Sequence, residues 1–267
     1  MPVATINGHE MYYEIHGQGD PAICMGGWGT YCHGREKNLA RGLTDRYQTL
    51  IIDYRGIGDS TDDPAVPATI KLHARDVIEL LDHLNWRQVH FVGLVGIGAC
   101  IAQEVAIARP GLVRSMVNMG CWAKVDPFLA DQLALFRDVH LEMGFAAFLK
   151  LVCTLSFTPD YYVENRDRLL GEQGPWAELV GREQAHARLV EACLSQDVVE
   201  TLPAVETPTL VVHAAKDQIT SPRYTKEIEA LLPNAEGVTM ADVAHVVAGK
   251  DQKMRFCEIL IDFLERH

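Results

Sequence analysis

Apolar runs of strand length alternate with helical segments over most of this chain, and that alternation restricts the fold more than any other feature. Residues 89–103 show it most sharply: Val-His-Phe-Val-Gly-Leu-Val-Gly-Ile-Gly-Ala-Cys-Ile-Ala-Gln, an apolar strand, a turn of small residues, then a helix. Before it, Val3–Ile6 and Met11–Ile15 flank Asn7-Gly8, a hairpin turn signal. Ala22–Met25 and Thr49–Asp53 are further strands, and Ile70–Leu84 carries apolar residues at helical spacing. After the turn, the helix from about Gly98 to Arg109 stops before Pro110, and Ser115–Met119 is the next strand. The alternation then lapses. Residues 122–203 read as helices broken at Pro127, Pro159, Gly171, Gly174-Pro175 and Pro203. It resumes with strand Leu210–His213, helix Tyr224–Leu232, strand Gly237–Met240 and helix Lys250–Glu265. Strands alternating with helices imply a mostly parallel sheet covered on both faces. The fold class is therefore α/β, with a core from 1–121 and 204–267. A helical insertion at 122–203, after the sixth or seventh strand, would cap the carboxyl ends of the strands, where such sheets bind ligands.

A length of 267 residues suits one such domain with its insertion. The formal charge of −12 argues against nucleic acid and anionic membranes as partners and leaves a small molecule as the expected one. Seven scattered cysteines, in no metal-ligand spacing, read as reduced thiols of a cytoplasmic protein. The first residues have neither a basic start nor a long apolar run, so no secretory signal is expected, and no stretch is long enough to span a bilayer. No glycine-rich phosphate loop follows the first strand. No cofactor and no metal are expected. A homodimer is compatible with the sequence, which does not encode oligomeric state legibly.

Several segments carry a resemblance. Met25-Gly26-Gly27-Trp28-Gly29 resembles the His-Gly-x-x-Gly loop of the α/β-hydrolase fold superfamily, with Gly26 in place of histidine. Asp53-Tyr54-Arg55-Gly56-Ile57-Gly58-Asp59-Ser60 resembles its Asp-x-Arg-Gly-x-Gly-x-Ser segment, which is structural. The strand, small-residue turn and helix at 89–103 have the outline of the nucleophile elbow, Gly-x-Ser-x-Gly. Here the match fails: counting from Gly93 places the nucleophile at Val95, and counting back from Ile101-Ala102-Gln103 places it at Gly96. Neither can attack a carbonyl. Val95 is favoured because Gly93 then fills the small position two before it, and Ile97 then stands where glycine is usual.

The resemblance implies further site residues. Asp217, after the strand at Leu210, lies where the family places its acid, and His245, after the last strand, where it places its histidine. The family's oxyanion hole implies backbone donors at Trp28 and at Gly96 (or Ile97). Trp28 and Trp122 would line the pocket. The segment Val117–Trp122 and the lid after it resemble the group containing the aminoacrylate hydrolase and the enol-lactone hydrolases, the first of which also lacks the elbow serine.

Four readings follow. In the first, His245 activates water, oriented by Asp217, to hydrolyse a small carbonyl compound: an ester, lactone, enamine or C–C bond. The second is a serine hydrolase whose nucleophile was replaced. The third is a cofactor-free lyase or oxygenase, and the fourth a ligand-binding protein without turnover. Asp53, Arg55, His90 and Cys100 are expected to be structural. Tyr161, Tyr162, Phe145, Phe148 and Leu149 are expected to pack the insertion onto the core rather than touch substrate. His140 and His186 have no partner evident in sequence.

Overall fold

A computed structural model describes residues 2–267. Eight strands form one sheet: β1 (Val3–Ile6), β2 (His9–His16), β3 (Asp20–Met25), β4 (Tyr47–Ile52), β5 (Val89–Gly93), β6 (Val113–Met119), β7 (Thr209–Ala214) and β8 (Ala235–Met240). Their spatial order is β1-β2-β4-β3-β5-β6-β7-β8. The first two junctions are antiparallel and the rest parallel. The β1–β2 hairpin turns on Asn7 (φ +45°) and Gly8 (φ +80°), the pair of left-handed residues that a type I′ turn requires.

Nine α-helices accompany the sheet among the described residues: α1 (Leu43–Arg46), α2 (Ile70–His83), α3 (Ile97–Ala108), α4 (Pro127–Met143), α5 (Phe145–Ser156), α6 (Pro159–Leu169), α7 (Glu183–Leu194), α8 (Pro222–Leu231) and α9 (Lys250–Arg266). Successive strand side chains point to opposite faces, and the central strands are apolar on both. Phe91, Met116 and Val211 pack with Leu80 of α2, Ile101 of α3 and Ile228 of α8. Val92, Val117, Leu210 and Val212 pack on the other face with Leu43 and with Phe256, Leu260 and Phe263 of α9. All these side chains are nearly or fully removed from water. A phenylalanine buried as Phe91 is contributes about 3–5 kcal/mol against alanine.

Between β6 and β7 the four helices α4–α7 replace the single crossover expected of a simple β/α repeat. Asp126 caps α4 by accepting the Leu129 N–H at 2.9 Å. Glycine at positive φ (Gly144, +79°) separates α4 from α5, and Pro159 opens α6. These helices pack onto the core through Trp28, whose ring meets Phe136 at 5.5 Å, Phe148 at 6.3 Å and His186 at 4.7 Å.

Candidate active site

The loops after the parallel strands β3, β5, β6, β7 and β8 converge at one edge of the sheet, so residues distant in sequence meet there. The turn from β5 into α3 is anchored on both sides. The Leu94 N–H donates to the Met25 carbonyl (2.8 Å), the Val95 N–H to that of Met119 (2.9 Å) and the Gly98 N–H to that of Gly26 (3.1 Å). Side chains would not fit around it: a Cβ on Gly93 would lie 2.5 Å from the Ala99 Cα, and one on Gly98 2.3 Å from the Met25 oxygen. At the apex, Val95 has φ +55° and Gly96 φ +85°. A β-branched residue at positive φ is uncommon and costs about 1–3 kcal/mol, which the anchoring hydrogen bonds and packing must sustain.

Asp217 and His245 follow β7 and β8. Their loops are tied by the Lys216 N–H donating to the Val243 carbonyl at 2.9 Å. Asp217 is 6% exposed. Its Oδ1 accepts the backbone N–H groups of Ile219 (2.8 Å) and Thr220 (2.9 Å), and its Oδ2 accepts the Thr220 hydroxyl (2.9 Å). The same Oδ2 lies 2.9 Å from His245 Nδ1. A carboxylate only accepts, so Nδ1 carries the proton and Nε2 offers its lone pair. Burial alone would raise the Asp217 pKa, but its pairing with His245 and the hydrogen bonds from Thr220 and Ile219 outweigh it and hold the carboxyl below its usual range. The His245 loop is pinned from the insertion by the Val246 N–H, which donates to the Ser156 carbonyl at 3.0 Å.

The histidine and the elbow share a wall. Gly120 (φ +63°), just after β6, sits between them: a Cβ there would lie 3.3 Å from His245 Cε1 and 3.4 Å from the Val95 Cα. Val95, Gly96, Trp28, Trp122, Thr220 and His245 line a cavity of about 30 Å³, room for about two water-sized groups. Leu133, Val152, Trp176 and Cys193, from the segment between β6 and β7, line it too. Among the described residues, neither the Trp28 nor the Gly96 backbone N–H donates to a protein acceptor. The buried Trp122 indole N–H has no partner either.

The family model for the alpha/beta hydrolase fold matches residues 21–250. The chain belongs to the α/β-hydrolase family. Relatives of this α/β-hydrolase include a protein of Azorhizobium caulinodans named "Putative carbamate hydrolase RutD", 31% identical over 246 residues, covering 92% of this chain and 89% of that protein. A protein of the same name from Stutzerimonas stutzeri is 26% identical over 269 residues, covering 95% and 96%. Among solved structures, an alpha/beta hydrolase enzyme from a Medee basin deep-sea metagenome library superposes with a TM-score of 0.86 at 22% identity over 99% of this chain and 97% of that one. The enol-lactonase from Burkholderia xenovorans does so at 0.82 and 21% identity, over 99% and 100%. At such identities the two structures speak for the fold alone. This α/β-hydrolase is thus a hydrolase by family.

Its other singled-out residues are structural where the sequence suggests so. The Arg55 guanidinium makes two 2.7 Å hydrogen bonds to the buried Asp76. Asp53 accepts the Thr30 hydroxyl (2.6 Å) and the Asp59 N–H (2.9 Å), and a Cβ on Gly58 would strike its Oδ2 at 1.9 Å. His90 bonds the Ser115 hydroxyl at 2.8 Å, and Cys100 is fully buried. Phe148 and Leu149 are buried in the core, and the half-buried Phe145, Tyr161 and Tyr162 pack against it, Tyr161 also lining an outer chamber. His140 and His186, partnerless in sequence, are partners of one another, with their Nδ1 atoms 3.0 Å apart. Glu14, His16 and Glu36 bring three ligand-type atoms together. Glu14 is already engaged by Tyr12, His16 and the His33 N–H, and the group lines neither cavity.

Among the site residues that escape the sequence reading are Thr220, Gly120 and Trp176. Thr220 has a signal, since an aspartate accepting N–H groups two and three residues on is an Asx turn. Gly120 has only the general signal of a glycine after a strand. Trp176, at φ +60°, has none.

Proposed function

We propose that this α/β-hydrolase hydrolyses a small, labile carbonyl compound by general-base activation of water, without a covalent intermediate. The observation that carries the reading is the pairing of an intact Asp217–His245 dyad with Val95 at the elbow, His245 and Val95 both lining one small cavity. His245 Nε2 takes a proton from water as the water oxygen bonds to the carbonyl carbon. The oxygen that becomes negative is held by the backbone N–H groups of Trp28 and Gly96, each worth roughly 3 kcal/mol in the transition state. The tetrahedral species collapses, the bond to the leaving group breaks, and His245 returns the proton to that group. Asp217 holds the imidazole in the tautomer that can accept. Trp28 and Trp122 bound the substrate, and α4–α7 serve as a lid that excludes bulk water.

Sites that lack their nucleophile can still accelerate hydrolysis by about 10³–10⁴ over water, enough for a labile substrate. Carbamates, activated esters, enol lactones and enamines are of that kind, and the name carried by the two relatives falls among them. The test is hydrolysis of a panel of these compounds by the chain and by His245→Ala. The reading requires turnover by the chain and its loss in the variant. Turnover that survives His245→Ala would reject it.

A further inference from the structure

A second and larger cavity, about 390 Å³, adjoins the first and shares Gly27, Val95 and Trp176 in its walls. Its charge runs against that of the chain. With 36 acidic and 24 basic residues overall, an average stretch of surface holds more carboxylates than cations. The chamber is lined by Arg35, Lys37, Arg41, Arg168 and Lys253, and by one carboxylate, Glu178. Glu178 is already engaged: it accepts the Thr30 N–H at 2.9 Å and pairs with Arg35 at 3.1 Å. Arg168 donates to neutral partners, the Tyr161 hydroxyl and the Asn165 side chain. Among the described residues, Lys37, Arg41 and Lys253 have no carboxylate partner. They come from separate parts of the fold, the loop before α1 and the first turn of α9. Arg41 and Lys253 nevertheless converge on one wall. The Arg41 backbone N–H donates to the Cys257 Sγ there at 3.1 Å, and Lys253 stands one turn before Cys257 on α9.

The inner cavity admits about two water-sized groups, a carbonyl and the attacking water, so the remainder of any larger substrate must lie in the outer chamber. We propose that this chamber selects an anionic substrate: the reactive carbonyl enters the inner cavity while a carboxylate on the same molecule is held by Lys37, Arg41 and Lys253. The inference rests on the hydrolytic reading for the orientation of the substrate. The cations also raise the local concentration of an anion that the rest of this acidic surface repels.

The test uses two probes that share one glutarate backbone and differ by a methyl group and one charge, 4-nitrophenyl hydrogen glutarate and methyl 4-nitrophenyl glutarate. Exposed pairs typically change affinity by about 1.4- to 5-fold each, so three together predict a preference in kcat/KM for the anion of about tenfold. The triple variant Lys37→Gln/Arg41→Gln/Lys253→Gln should bring that ratio to about one, and 0.5 M NaCl should do the same to the wild-type chain. Binding of monomethyl glutarate against dimethyl glutarate, by calorimetry on the His245→Ala variant, gives a readout independent of turnover. Loss of hydrolysis with retained anion preference in binding would overturn the mechanism and keep this proposal. Equal binding of the two esters, or a ratio that the triple variant leaves unchanged, would overturn the proposal.

Discussion

Replacing Asp217 with asparagine keeps the shape of the side chain and removes its charge. The two backbone donors at Oδ1, Ile219 and Thr220, fix which end of the amide carries the oxygen. The amide nitrogen must then stand where Oδ2 stood, 2.9 Å from His245 Nδ1 and 2.9 Å from the Thr220 hydroxyl. It presents N–H to Nδ1, so Nδ1 must accept and the imidazole proton moves to Nε2. A protonated Nε2 cannot take a proton from water. The loss expected for a histidine held in the wrong tautomer is about 10³–10⁴ in kcat, or roughly 4–5.5 kcal/mol in the barrier. The Thr220 hydroxyl can rotate from donor to acceptor, so the fold should lose only about 1–2 kcal/mol. The assay has two arms. Proton–nitrogen correlations of ¹⁵N-histidine-labelled protein report which His245 nitrogen is protonated, and steady-state hydrolysis of the best panel substrate reports kcat. An Asp217→Asn variant whose His245 keeps its proton on Nδ1, or whose kcat falls less than tenfold, would refute the reasoning.

Other expectations follow from the same geometry. Thr220→Val leaves the buried carboxylate one donor short, so kcat should fall about three- to tenfold and urea unfolding should show a loss of about 1–2 kcal/mol. Gly120→Ala adds a methyl 3.3 Å from His245 Cε1 at a backbone φ of +63°, which costs about 1–2 kcal/mol in thermal or urea unfolding and disturbs the dyad, with kcat down tenfold or more. Burial pushes the pKa of His73 and His90 down to about 4 and, with His140 adding to it, that of His186 to about 3. The unfolded chain takes up these protons near 6.5 and the folded one does not. Stability should therefore fall as pH drops from 6.5 toward 4, by up to about 1.4 kcal/mol per pH unit for each histidine. Circular dichroism across that range checks this, and a flat profile would contradict it.

The fold was largely readable because the strands that form the middle of the sheet are apolar on both faces, and because Asn7-Gly8 announces its hairpin. Strand boundaries moved by about two residues where backbone pairing continues past the apolar run: β2 begins at His9 and β4 at Tyr47. Four helices, α4–α7, lie between β6 and β7. Asp217 and His245 meet because each follows a late strand, which strand order alone suggests. The elbow was less legible. Glycines on both sides of Val95 permit two counts, and only the backbone angles show that the valine itself adopts positive φ. Gly120 acts through a close approach to two loops, and His140 and His186 pair across 46 positions, so neither contact leaves a local pattern. The cations of the outer chamber are equally scattered, at 35–41, 168 and 253, and look in sequence like an ordinary solvated surface.

The most direct measurement is pre-steady-state hydrolysis of one activated substrate, followed by intact mass spectrometry, for the wild-type chain, Val95→Ser and His245→Ala. Direct attack by water predicts turnover by the wild-type chain with no burst and no mass increase, and no turnover by His245→Ala. An inert wild-type chain beside a Val95→Ser variant that shows a burst and gains the mass of an acyl group would contradict it, and would mark the dyad as built for a serine that this chain lacks.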